Sequence, residues 1–96
     1  MLLDDLLDAI DVRAVLHGWD GVEIADLARD SRRVTPGALF FCVPGALSDG
    51  HDHAAAAVAE GAVAVVCEGA LDVPVPLVVV ADARQAMAPL ADRFFG

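Results

Sequence analysis

The chain has 96 residues, 57% of them hydrophobic, and a formal net charge of −9; this is one domain near the small end of what holds an apolar core. So acidic a balance excludes the basic footprint that nonspecific nucleic-acid or anionic-membrane binding requires. All six cations are arginines, so a lysine Schiff base, a P-loop lysine and a carbamylated lysine are excluded within these residues.

Leu2, Leu3, Leu6, Leu7 and Ile10 recur at helical spacing with Asp4, Asp5 and Asp8 opposite, which predicts an amphipathic helix ending before Gly18. The opening MLLDDLLDAI is acidic where a signal peptide would be basic, and no apolar run approaches the roughly 20 residues of a membrane span, so the expected setting is cytoplasmic. Residues 17–21 are punctuation, with Trp19 expected as a lid on the core edge. Over 22–29, Val22 and Ile24 alternate but Ala25 and Leu27 fall in the opposite phase, which predicts a strand with a bulge or register change. Thr35-Pro36-Gly37 signals a turn, and Leu39 to Val43 an apolar central strand closed by Pro44-Gly45.

A helix is predicted from a cap at Asp49 or Asp52 through the alanines to Glu60, with Gly61 as its left-handed terminator. Its face of Ala54, Ala57 and Val58 is small and suits close approach to a sheet. Ala62 to Cys67 and Leu77 to Ala81 are apolar on both phases, the mark of strands covered on both faces. The final segment places Ala83, Ala86, Met87, Leu90 and Phe94 on one helical face; Pro89 implies a kink there, or two short helices meeting. The fold class is therefore α/β: a single small three-layer-like domain, its mostly parallel or mixed sheet of roughly four to five strands flanked by two or three helices.

Three groups of residues invite chemistry. Asp30-Ser31-Arg32-Arg33 follows a strand and offers a hydroxyl, backbone N–H groups and cations, the mixture a uracil ring asks for. The same residues also read as a turn in which Asp and Ser bond nearby backbone, and the Asp-Ser-Arg tripeptide within them is too short to decide. Gly45 to Gly50 lies between a strand end and a helix start, where backbone can approach an anion, or is an ordinary connection; it lacks the Gly-Lys-Ser/Thr ending of a P-loop. His51 and His53 sit beside Asp49 and Asp52, but a spacing of two sends helical side chains to different sides, and a zinc site needs three or four converging ligands. No metal site and no catalytic nucleophile is nominated. Glu23, Glu60, Glu68, Asp72 and Asp82 read as solvated faces or caps. Cys42 and Cys67 lie in apolar runs without metal or redox spacing and read as buried thiols in a reducing compartment; a small redox protein using them requires thiols that react in the native state.

The runs DSRRVTPGALFF, PGALSDGHDH, AVAEGAVAVVCE and PLVVVADARQAMAPLADRFFG, in that order, are similar to the N-terminal domains of the Mur ligases. The MurE type (UDP-N-acetylmuramoyl-tripeptide synthetases) is the nearer match and the MurF type the second. The resemblance covers about Ala25 to Gly96 and implies that residues 1–96 are a single N-terminal, UDP-binding domain. Such ligases use ATP to form an acyl phosphate on the D-glutamate of UDP-N-acetylmuramoyl-L-alanyl-D-glutamate, which a diamino acid then attacks. The resemblance places nucleotide contacts on Arg29 and Ser31 in the first loop and on Ala46, Leu47 and Ser48 in the second. Asp30, Arg32, Asp49 and Gly50 are implied as residues that shape those loops.

The family's ATP-binding G-T-N-G-K-T segment is absent, as are the central ATPase and C-terminal domains. ATP and Mg2+ are thus implied for a parent ligase and no cofactor for this chain. The implied partners are the UDP-N-acetylmuramoyl-peptide and the missing domains, with no nucleic acid and no membrane. Ala38 stands where family members often carry Asp, and Ala46 where they often carry a larger polar residue, which leaves mainly backbone and Ser48 to make contacts in the second loop. The competing reading is a free-standing interaction or regulatory domain that keeps the fold without the enzyme.

Overall fold

Strands that are apolar on both phases must be covered on both faces, and this requirement organises the chain. The computed structural model describes residues 1–16, 21–43, 53–69 and 71–96. In chain order they form α1 (Leu3–Leu7), β1 (Ala14–Leu16), β2 (Asp26–Ala28), a 3-10 turn (Ser31–Arg33), β3 (Ala38–Phe41), α2 (Ala54–Ala59), β4 (Ala64–Cys67), β5 (Leu77–Val79) and α3 (Ala83–Phe95). One five-stranded sheet has the order β1-β5-β4-β3-β2, with β2 to β5 parallel and β1 antiparallel to β5. This is the mixed α/β sheet with three helices that the sequence implies.

β4 shows the two-sided covering residue by residue. Ala64 and Val66 join a cluster with Leu3 and Leu6 of α1 and Ala83, Ala86 and Leu90 of α3. Val65 and Cys67 join a second cluster, with Ala54 and Ala57 of α2. The alanine face of α2 gives little apolar area per residue, and Ala54 and Ala57 share one core cluster with residues of β3 and β4.

The N-terminal third departs from expectation. The predicted helix is confined to Leu3–Leu7, buried at Leu3 and Leu6, because a helix so short depends on tertiary partners rather than on its own propensity. Its partner is the segment 22–24: Leu3 N–H donates to the Val22 carbonyl at 2.8 Å and Ile24 N–H to that of Met1 at 2.7 Å. The mixed phase over 22–29 therefore reflects two pairings. Glu23 bridges Leu2, whereas Asp26 to Ala28 pair with Ala38 to Phe40. β1 was not predicted at all: three residues are too short to show a period, and it forms against β5, with Ala14 opposite Val79.

Two glycines fix the turns behind the sheet. α2 ends in a Schellman arrangement, Gly61 N–H donating to Val58 at 3.0 Å and Ala62 N–H to Ala57 at 3.0 Å, with Gly61 at φ 118, as the sequence requires of a left-handed terminator. The Gly61 carbonyl accepts Gly37 N–H at 2.9 Å, and Gly37 lies at φ 88 in the predicted turn. α3 is one helix with Pro89 inside it, so the alternative of two short helices is excluded. The carbonyl deprived of its helical donor belongs to exposed Gln85, where water can replace the lost bond. Two carboxylates cap this helix: Asp82 accepts Gln85 N–H at 3.0 Å and Glu68 accepts Ala83 N–H at 2.8 Å.

Candidate functional site

Because β2 and β3 are parallel and paired at Ala28 and Phe40, both leave the sheet at the same end, where α/β folds gather their ligand loops. Arg29 to Arg33 continue from β2 there. Asp30 caps the 3-10 turn: its Oδ1 accepts Arg32 N–H at 3.0 Å and Arg32 Nε–H at 3.1 Å, while Oδ2 accepts Arg32 Nη2 at 2.9 Å. The Arg32 side-chain hydrogen bonds, then its backbone N–H, hold the Asp30 carboxyl down to about 2, and the same pairing raises the Arg32 guanidinium. The turn is thus closed by the Asp30–Arg32 contacts and by Arg33 N–H donating to the Asp30 carbonyl at 2.9 Å. Ser31, half-buried at its first position, has no hydrogen-bond partner for its hydroxyl among the described residues.

Two grooves flank this corner. One, of about 570 Å³, is lined by Asp26, Leu27, Ala28, Arg29, Asp30 and Arg33. The other, of about 370 Å³, runs between β2 and α3 and is lined by Leu27, Ala28, Arg29, Phe41, Arg84, Met87, Ala88, Ala91 and Phe95. Both are in the size range of small-molecule sites, and Arg29 bounds both. The first is polar, with Thr35 Oγ1 donating to Asp26 at 3.2 Å beside it; the second is apolar with two arginines. A third hollow of about 390 Å³, against α1 and α3, carries Asp8, Asp11 and Asp82, a sign opposite to what an anion requires.

Of the residues expected to carry the site, Arg29, Asp30, Ser31 and Arg32 stand together at this corner. Ala46, Leu47, Ser48, Asp49 and Gly50 lie outside the described residues, as do Trp19, His51 and Asp52. His53 is exposed at the start of α2, and among the described residues no three His, Cys, Asp or Glu side chains converge as a metal site would. Cys42 and Cys67 are buried thiols, and burial pushes the Cys67 thiol up.

Arg33, one of the two cations the sequence offers at this corner, lines the polar groove, and Arg84, which the sequence does not single out, lines the apolar one. Arg84 stands in the first turn of α3, where the helix dipole disfavours a cation. Four of the six cations in a chain of charge −9, Arg29, Arg32, Arg33 and Arg84, thereby gather around this corner and its grooves.

Residues 23–95 match the model of the Mur ligase family, catalytic domain. A UDP-N-acetylmuramoyl-L-alanyl-D-glutamate–2,6-diaminopimelate ligase from Geobacillus thermodenitrificans is 57% identical over 81 residues, covering 84% of this chain and 17% of the relative. The ligase of that name from Listeria monocytogenes is 47% identical over 96 residues, covering 100% of this chain and 19% of its own length. Among solved structures, MurF from Acinetobacter baumannii superposes with a TM-score of 0.85 at 27% identity, covering 96% of this chain and 20% of that one. MurF ligase from Thermotoga maritima, in complex with ADP, gives a TM-score of 0.61 at 27% identity over 73% of this chain and 16% of that one. The chain spans about a fifth of the length of the curated relatives it matches.

Proposed function

The chain belongs to the Mur ligase family, and from that premise we propose that it is the part of a peptidoglycan ligase that holds the uridine diphosphate end of a UDP-N-acetylmuramoyl-peptide in the cytoplasm. The observation that carries the reading is Arg29, which bounds a polar groove on one side and an apolar groove on the other. That arrangement suits a ligand with a flat heterocycle at one end and an anionic diphosphate next to it. In this reading Ser31, whose hydroxyl the turn does not use, bonds the uracil imide, and Arg29 with Arg33 faces the diphosphate. Asp30 and Arg32 keep the backbone of the turn in place. Ala46, Leu47 and Ser48 supply the second loop, shaped by Asp49 and Gly50.

The chemical step belongs elsewhere. The chain has no lysine, the residue a P-loop uses to hold nucleotide phosphates, so it does not supply that part of an ATP site. We assign ATP and Mg2+ to the central and C-terminal domains of a parent ligase. The two relatives named above act, by their names, with 2,6-diaminopimelate. Their identities of 57% and 47% support a parent of that type, adding a diamino acid to UDP-N-acetylmuramoyl-L-alanyl-D-glutamate. The 27% identity to MurF at a TM-score of 0.85 supports the second reading, a parent that adds the terminal dipeptide. The expected setting is cytoplasmic; among the described residues no helix is long and apolar enough to cross a membrane.

Backbone amide shifts during titration with UDP-N-acetylmuramic acid test the proposal. Changes are expected at Arg29 and Ser31 and over residues 46–49. Ser31→Ala should weaken binding by about 0.5–1.5 kcal/mol, the net worth of one hydrogen bond. Absence of any shift at those residues at millimolar ligand sinks the assignment.

A further inference from the structure

The two cysteines are 25 positions apart in a chain of 96, without a motif to connect them, yet the sheet sets them side by side. β3 and β4 are parallel, with Phe40 opposite Val65 and Phe41 opposite Val66. The ladder continues one residue further: Cys42 N–H donates to the Val66 carbonyl at 2.8 Å, and in a parallel ladder that bond puts Cys42 directly opposite Cys67. Both side chains belong to the cluster under α2, and both residues are 0% exposed. Neighbouring strands lie about 4.8 Å apart, inside the Cα–Cα range of roughly 4.4–6.8 Å that a disulfide spans. Side chains on adjacent parallel strands stand alongside each other instead of converging, so a bond between them would be strained and readily reduced.

We infer that Cys42 and Cys67 form a cross-strand dithiol that closes reversibly to a disulfide under a hydroperoxide, tying the end of β3 to the end of β4. This inference does not depend on the ligand reading. The chemistry balances with one equivalent of hydrogen peroxide. The first thiol attacks the O–O bond and becomes a sulfenic acid as one water leaves. The second thiol then displaces the hydroxyl as another water, and the two electrons lost by sulfur reduce the peroxide. Two thiols do not suffice for a closed zinc site, so oxidation and not metal capture is the chemistry their placement favours. Cys42 directly follows the last residue of β3, Phe41, so closure would fix that end of the strand.

The test treats the native chain with hydrogen peroxide and follows intact mass, with far-ultraviolet circular dichroism to verify that the fold persists. The expected result is a loss of about 2 Da, restored by a phosphine reductant. Cleavage after Glu23, Glu60 and Glu68 should then release residues 24–60 bonded to 61–68, because Cys42 and Cys67 fall in different fragments. Cys42→Ser should abolish the loss of mass. The inference is overturned by mass gains in oxygen units without the linked fragments, by no change in mass, by covalent dimers alone, or by a link that forms only in denaturant.

Discussion

Gly61→Ala probes the connection on which the candidate site rests. At φ 118 an alanine is strained wherever it points, and its Cβ would meet the Pro36 Cα at 2.8 Å and the Pro36 nitrogen at 3.2 Å. Both are backbone atoms, which cannot rotate aside. The conformational penalty is about 1–2 kcal/mol for a left-handed residue with a side chain, and the steric conflict adds about 1–2 kcal/mol of the kind seen on overpacking. The sum, about 2–4 kcal/mol, is a large share of the stability of a small domain and lowers its melting temperature by roughly 10–25 °C. Urea titration followed by circular dichroism should show a fallen midpoint at unchanged slope. Gly69→Ala is the control, since no heavy atom lies within 4 Å of its added Cβ; its effect should stay within about 0.5 kcal/mol. If Gly61→Ala is as mild as Gly69→Ala, the wedge between the end of α2 and the turn before β3 has been misjudged. The consequence extends to the site, because Gly61 holds Gly37 and the Gly37 carbonyl in turn accepts Ala25 N–H at 2.9 Å, just before β2.

Three further outcomes are expected. Arg29→Ala should weaken UDP binding by about three- to tenfold, roughly 0.6–1.4 kcal/mol, while leaving the affinity for uridine without phosphate unchanged; calorimetry on both ligands separates a diphosphate contact from general damage. The Asp30 carboxyl, lowered to about 2 by Arg32, contributes stability that is complete above the ordinary aspartate range and lost as pH falls toward 2; urea midpoints between pH 2 and 5 should lose part of this slope in Asp30→Asn. Asp82→Ala removes the cap on Gln85 N–H and should cost about 1 kcal/mol in the same assay, with Glu68 still holding Ala83 N–H.

The sequence by itself determined the α/β class, the apolar strand at β3, the two-faced burial of β4 and β5, the left-handed Gly61 and the exclusion of lysine chemistry. These depend on local period, turn stereochemistry or mere presence of a residue type, and all of them are written in neighbouring letters. It also marked the Asp30–Arg32 corner, where a carboxylate and an N–H two residues apart can only meet in a turn. Tertiary structure decided the rest. β1 exists because β5 offers it an edge, and α1 is anchored at its start by Val22 and Ile24. The phase change before β2 is a change of partner, invisible in any periodicity. Arg29 and Arg84, 55 residues apart, come to share a groove, and Cys42 comes to face Cys67, because strand register is set by pairing across the sheet and not along the chain.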